Sequence, residues 1–255
     1  MRANHVAVAT AMTALILASL MLNIAVDQPR HAPVLAEDEN HHPTSARSTS
    51  AEILLASGGS TSHDEFSGAI APALNGYVVA GDVNSSAAAL TFGPHTYIPT
   101  SPYSNGNDFF LASLDDNGGW NYLIGADHTQ GGVSFMADVT SHAGNAVVAG
   151  YMYGSVDFGQ TTLATAVQFD GFVAQADVAG NWIWAKGFQT LPNSSTDSSI
   201  PQAVAVDQVG DVIVAGYFSG ETDFGGVSFN VTDTEIFIAK LDGACLLYTS
   251  DAADD

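Results

Sequence analysis

Apolar residues after position 50 fall in short runs of five to eight, and no stretch there keeps a 3.6-residue apolar period long enough for a helix. The run "QAVAV", beginning at Gln202, alternates small and branched residues. "DVIVAGYF", beginning at Asp211, is apolar at consecutive positions. "EIFIAKLD" sends Ile236 and Ile238 to one side, Phe237 and Ala239 to the other. "NWIWAKGF" places Trp182 and Trp184 on one face. Such runs, rich in Val, Ile, Phe, Tyr and Trp and bounded by Gly, Asn and Asp, predict strands.

The strands recur in a fixed order. Gly81, Gly150 and Gly216 each close a Val-Ala-Gly tripeptide, 69 and then 66 residues apart. "DFFLASLD", "DGFVAQAD" and "EIFIAKLD" follow in turn, and "NGGWNYLIG" and "AGNWIWAKG" follow the first two. The links are Asp-led and contain Gly: Asp115 to Gly119, Asp177 to Asn181, Asp207 to Asp211. Asp opens such turns by bonding its own backbone, and Gly supplies positive φ. Each unit of about 65 residues therefore reads as a four-stranded antiparallel meander. A second strand apolar on both faces implies a sheet packed on either side. A linear stack or a sandwich would bury both faces too, but the regular four-strand unit with its Trp- and Gly-marked positions favours the blades of a β-propeller. The Ala-Gly pairs leave room for neighbouring aromatics, with Trp182 and Trp184 as the expected occupants.

These residues resemble the SBBP-type β-propeller repeat. "DGFVAQADVAGNWIWAKGF", "AVAVDQVGDVIVAGYFSGETDFGG" and "EIFIAKLD" carry the resemblance, over about residues 66–244. It implies an exported or cell-surface protein of bacteria or archaea and supplies no catalytic residues. The first unit departs from it: "APALNGYVVAG" replaces the Asp-led turn, and Thr91 stands where the later units have Asp157 and Asp223.

The fold expected is all-β: an incomplete propeller of about three four-stranded antiparallel blades, at about 66–127, 132–190 and 200–244, within 51–244. "AEILLASGG", beginning at Ala51, reads as the fourth strand of a preceding blade. The last eleven residues, 245–255, break the repeat: Cys245, Leu246 and Leu247 stand where Gly, Asn and Trp are due. They resemble translated adaptor read-through and are expected to be a non-native tail, leaving an arc with open edges.

Residues 6–26 carry no charge and follow Arg2, which predicts an export signal or membrane anchor helix over 1–26. Residues 27–50 read as a disordered linker. Export places the repeats outside the cytoplasm, extracellular or at the cell surface, with membrane contact only through an uncleaved 1–26. The single Cys245 permits no internal disulfide.

Charge narrows the function. Five Lys and Arg face 27 Asp and Glu, a net charge of -22, and Arg2, Arg30 and Arg47 all precede the repeats. Such a surface repels phosphate, which excludes nucleic acid as a partner. Solubility explains the acidity, with divalent-cation binding as the sharper reading.

Individual motifs add little chemistry. Asp157-Phe158-Gly159 and Asp223-Phe224-Gly225 copy a kinase motif, but recurrence at one place in each unit marks a turn. Asp115, Asp116 and Asn117 offer oxygens to calcium, which takes about six to eight, yet no full calcium loop follows. His5, His31, His41, His42, His63, His95, His128 and His142 show no metal-ligand spacing. No G-x-S-x-G elbow occurs. Asn84, Asn193 and Asn230 begin glycosylation triplets.

Trp182, Trp184, Tyr151, Tyr153 and Tyr217 are expected to pack between blades, or to stack on sugar. No catalytic, metal-binding or cofactor-binding residue is assigned, and no cofactor is expected. The chain reads as a binding or scaffolding module for a protein or glycan, with the loops around 92–107 and 187–200 as the places to look. The alternative is a fragment of an exported propeller enzyme acting on polysaccharide.

Overall fold

The computed structural model describes residues 59–60, 65–84, 89–101, 106–165, 169–191, 197–242 and 247–252, with the backbone alone at 59–60, 65–67, 129–131 and 247–252. The chain divides into two compact units, Met1–Leu54 and Leu55–Asp255. The first holds the expected export segment and linker, and lies outside the described residues, as do 51–58. The second unit is all-β, in several antiparallel sheets, with no helix among its described residues.

Strand β1 (Gly59–Ser60) belongs to a small three-stranded sheet with β4 (Leu90–Phe92) and β5 (His95–Tyr97). Strands β2 (Glu65–Ala73), β3 (Gly76–Asn84), β6 (Asn107–Asp115) and β7 (Trp120–Gly125) pair in that order as a first meander. Strands β8 (Asp127–His142), β9 (Asn145–Asp157), β11 (Asp170–Ala176) and β12 (Trp182–Thr190) form a second, with the short β10 (Thr162–Ala164) hairpinned onto β9. A third follows in β13 (Ser198–Val206), β14 (Val212–Asp223), β15 (Ser228–Leu241) and β16 (Leu247–Ala252). Two register pairs, Gln189 with Asp223 and Thr190 with Thr222, join the second and third meanders into one nine-stranded sheet.

Residues 247–252, within the stretch expected to be a non-native tail, pair their backbone with β15. Ladder bonds use main-chain groups alone, so an open strand edge accepts an extended segment whatever its side chains.

The three Asp-led turns form as read. Asp115 Oδ1 accepts the N–H groups of Asn117 and Gly119, Asp177 Oδ1 those of Ala179 and Asn181, and Asp207 Oδ1 those of Val209 and Asp211. Gly118, Gly180 and Gly210 hold positive φ at 84°, 83° and 95°. The Asp-Phe-Gly triplets are turns too: Phe158 and Phe224 donate their N–H groups to the carbonyls of Thr161 and Val227.

Alternation sorts the side chains between the meanders. Val78, Ala80, Phe109 and Leu111 of the first meet Ala146, Val148, Phe172 and Ala174 of the second. The opposite face of the second, with Val147, Ala149 and Val173, meets Val212, Val214, Phe237 and Ala239 of the third. The middle sheet is thus buried on both sides, and the three pack in series. On the third sheet the corresponding outer positions, Ile236 and Ile238, are 59% and 52% exposed. Phe158 sits between the first two sheets, its ring 5.3 Å from Phe172 and 5.2 Å from Trp182.

Two details differ from the alternation read in the sequence. Trp182 and Trp184 do not share a neighbourhood: Trp182 packs with the core between the first and second sheets, Trp184 with the core between the second and third. A β-bulge between the two tryptophans, opposite Gln175 and Ala176, shifts the register and with it the face. The space left by the Ala-Gly pairs is also filled otherwise. A Cβ on Gly150 would lie 2.8 Å from Phe172 Cζ, the ring of its cross-strand partner in the same sheet, and no tryptophan is among its nearest atoms.

Candidate functional site

Antiparallel meanders send alternate connections to opposite ends. The Asp-led turns share one end of the sheets, while the links β3 to β6, β7 to β8, β9 to β11, β12 to β13 and β14 to β15 share the other. The two long loops singled out in the sequence therefore join strands at that other end, although the first starts elsewhere: Phe92 stacks on Trp120 and His95 lies against the Trp120 carbonyl, beside the Asp115 turn.

Repeat equivalence identifies what is special there. The residue after each Val-Ala-Gly is Asp82, Tyr151 or Tyr217. The Tyr151 hydroxyl is desolvated and feels both Asp82 and Tyr217, which together raise its pKa. The three positions are equivalent on three successive sheets, and Tyr151 on the middle sheet is the one that feels both of the others. Asp82 Oδ1 accepts the Met136 N–H at 2.8 Å, and burial pushes the carboxyl from 3.8 to about 6.

An aromatic group surrounds Tyr151. Its register partner Phe135 stacks on it at 5.0 Å, and Phe169 meets it edge-on at 5.6 Å. Tyr153 approaches Phe169 at 6.2 Å. Tyr153 and Tyr217 are each 40% exposed, so this is no sealed core. Recurring aromatics such as Phe92, Phe158 and Phe224 belong to the fold. Tyr153 and Phe169 do not recur: their counterparts are Asn84 and Asn107 in the first unit, Ser219 and Thr234 in the third.

A second polar group anchors the first long loop. Asp108 Oδ2 accepts the N–H groups of Thr100 and Ser101. Asp108 Oδ1 lies 2.9 Å from His128 Nδ1, with both side chains fully buried. In the second unit Asp170 stands in the place of Asp108 and Thr190 in that of His128, and Asp170 Oδ1 accepts the Thr190 N–H at 3.0 Å. The pair is thus a variant of a recurring brace that ties the loop end together. Nearby, Asp127 and Asp157 are direct cross-strand partners.

The residues weighed from sequence divide accordingly. Tyr151 and Tyr153 both meet Phe169, Tyr217 lies on the third sheet in register with Ile236, and Trp182 and Trp184 serve packing. Asp82, Phe135 and Phe169 escaped the sequence reading; aligning the units and asking which positions depart from the repeat would have found Phe169. Among the described residues no group of three or more His, Cys, Asp or Glu could hold a metal ion. No family model and no curated protein matches the chain.

Proposed function

We propose that the chain is part of an exported or cell-surface β-propeller of the kind the SBBP-type repeat suggests, acting as a binding or scaffolding module. Its ligand, a protein or a glycan, is met at the loop end of the sheets. The observation that carries this reading is the serial packing of three equivalent meanders, with non-repeating aromatics gathered at the end that bears the long loops. A repeat needs the residues it shares to hold its shape; those it does not share are free to recognise something. The net charge of -22 argues against phosphate-bearing partners.

The test replaces residues 102–105 and 192–196 with Gly/Ser and compares retention of both proteins on immobilised extracellular polysaccharides and surface proteins. Reduced retention of the variant is expected. Equal retention removes the loops from the site. The second reading, hydrolysis of polysaccharide, finds its foothold in the cross-strand pairing of Asp127 with Asp157, two carboxyl-bearing residues in register. Release of reducing ends, abolished by Asp157→Asn, would favour it over simple binding.

A further inference from the structure

We infer that Asp170, Thr190 and Thr222 hold an alkali-metal cation where the second and third sheets join. The two sheet junctions of the fold differ at this place, and the difference points to the ion.

Where the first sheet meets the second, the acid has its partners. His128 is in register with Val156, and its Nδ1 lies 2.9 Å from Asp108 Oδ1. Asp108 Oδ2 accepts the N–H groups of Thr100 and Ser101. Where the second sheet meets the third, Asp170 stands in the place of Asp108, Thr190 in that of His128 and Thr222 in that of Val156. The exchange keeps the acid and removes the imidazole. None of the ion pairs among the described residues involves Asp170.

Oxygen atoms are left without partners there. Asp170 is 3% exposed, Thr190 1% and Thr222 0%. Asp170 Oδ1 accepts the Thr190 N–H at 3.0 Å, but Asp170 Oδ2 and the hydroxyls of Thr190 and Thr222 are buried without a hydrogen bond. The three residues are contiguous. That bond ties Asp170 to Thr190, and Thr190 and Thr222 are cross-strand partners, whose side chains share one side of the ladder. The Thr190 hydroxyl is near enough to favour the ionised Asp170 carboxylate, yet is not aligned to bond it. Two neighbouring oxygens placed so are suited to a shared third partner. Asp197 deepens the negative potential: its carboxyl carbon lies where a Cβ on Gly220 would, two residues before Thr222.

A buried carboxylate without a counter-charge is costly, and buried oxygens without partners are rare. An ordered water would meet the hydroxyls and leave the charge. A metal cation meets both, because hard cations are held by oxygen. A single carboxylate with two neutral hydroxyls matches one positive charge, whereas calcium draws on several carboxylates. Main-chain carbonyls and water complete the shell of such an ion. The net charge of -22 concentrates cations around the chain. Without the ion, burial pushes the Asp170 carboxyl to about 6, so a proton and the metal compete for it.

The test measures thermal midpoints of the full chain in sodium, potassium and choline chloride at one ionic strength of roughly 0.5 M, so that screening is equal. Choline is too large for a buried site. The midpoint is expected to be higher in sodium or potassium. It should climb by about 3–5 °C for each tenfold rise of the metal above its dissociation constant, with choline making up the salt. Thr222→Val, which installs the residue found at Val156, should lose most of that response. Asp170→Asn, which still accepts the Thr190 N–H, should do the same. The salt response of the acidic surface is common to all three proteins and cancels. Crystals grown in rubidium chloride should show an anomalous peak between Asp170 and Thr222. Equal midpoints in choline and in the metals overturn the inference, as does a Thr222→Val protein that keeps the full metal response. A crystal in which the three oxygens meet an ordered water only, with no rubidium peak, overturns it too.

Discussion

Phe172 lies across the bare α-carbon of Gly150, its cross-strand partner: a Cβ on the glycine would come within 2.8 Å of the ring and 2.2 Å of the Phe135 carbonyl oxygen. Phe237 stands in the same relation to Gly216, where the nearest atoms would be the Ile200 oxygen at 2.3 Å and the Phe237 ring at 2.8 Å. The register repeats it once more between Gly81 and Phe110. Glycine here makes room for a phenylalanine that fills the face toward the preceding sheet. Gly150→Ala and Gly216→Ala should each cost about 1–3 kcal/mol, because backbone oxygen cannot retreat as a flexible side chain would. Urea midpoints would measure this. Loss below about 0.5 kcal/mol would mean the strands part readily at these positions.

Carboxylates bond across the sheet boundaries. Asp138 Oδ2, on the first strand of the second sheet, accepts the Val204 N–H of the third at 2.9 Å, and Asp82, on the second strand of the first sheet, bonds across to Met136. Both donors lie beside a β-bulge, where the ladder leaves main-chain groups without strand partners. Asp138→Ala should therefore cost about 1–3 kcal/mol by leaving a half-buried donor unmet, whereas Asp138→Asn keeps an acceptor and should cost less. Asp138 Oδ1 also accepts the Val139 N–H, and asparagine has one acceptor oxygen. A loss in Asp138→Ala below about 0.5 kcal/mol is therefore the result that would show the bond to Val204 contributes nothing.

The turn between β8 and β9 holds an easily improved residue. Ala143 and Gly144 both have positive φ, 51° and 90°, in a two-residue hairpin loop. Such loops favour Asn-Gly, and alanine pays for the left-handed conformation. Ala143→Asn should raise stability by about 0.5–1 kcal/mol, read as an upward shift of the thermal midpoint. A destabilised variant would mean that the Ala143 methyl contributes a contact that outweighs the backbone strain.

How much of this was legible depends on range. Asp115, Asp177 and Asp207 act on main-chain groups two and four residues away, so their turns could be read from local sequence. The inward and outward sides of β15 were equally plain, since Phe237 and Ile238 alternate without interruption. The faces of Trp182 and Trp184 were not, because Ile183 between them is the extra residue of a bulge on their own strand, and nothing in the sequence marks it as one. Ala143 hid its turn by being the wrong residue for it. The aromatic group around Tyr151 joins residues as far apart as Phe135 and Phe169, and period-two reasoning within one strand does not bring them together. Asp82 looked like one more acid among 27 until its burial and its bond to the next sheet were seen.

Acidity should stabilise this chain before it harms it. Burial raises both Asp82 and Asp170 from 3.8 to about 6, and raises Asp138 as well. Between those two values the folded chain binds more protons than the unfolded one, so unfolding free energy must fall as pH rises. The gain is complete below the unfolded value and is lost as pH climbs through about 6. Self-repulsion at -22 acts in the same direction, which a bare pH scan cannot separate. The double variant Asp82→Asn with Asp170→Asn can, since amides preserve the acceptors for Met136 and Thr190 but do not titrate. Urea midpoints at about pH 4.5 and about pH 7.5 should differ more in the wild type than in the variant. The same pH dependence in both proteins would show that these two carboxylates titrate as they do in the unfolded chain.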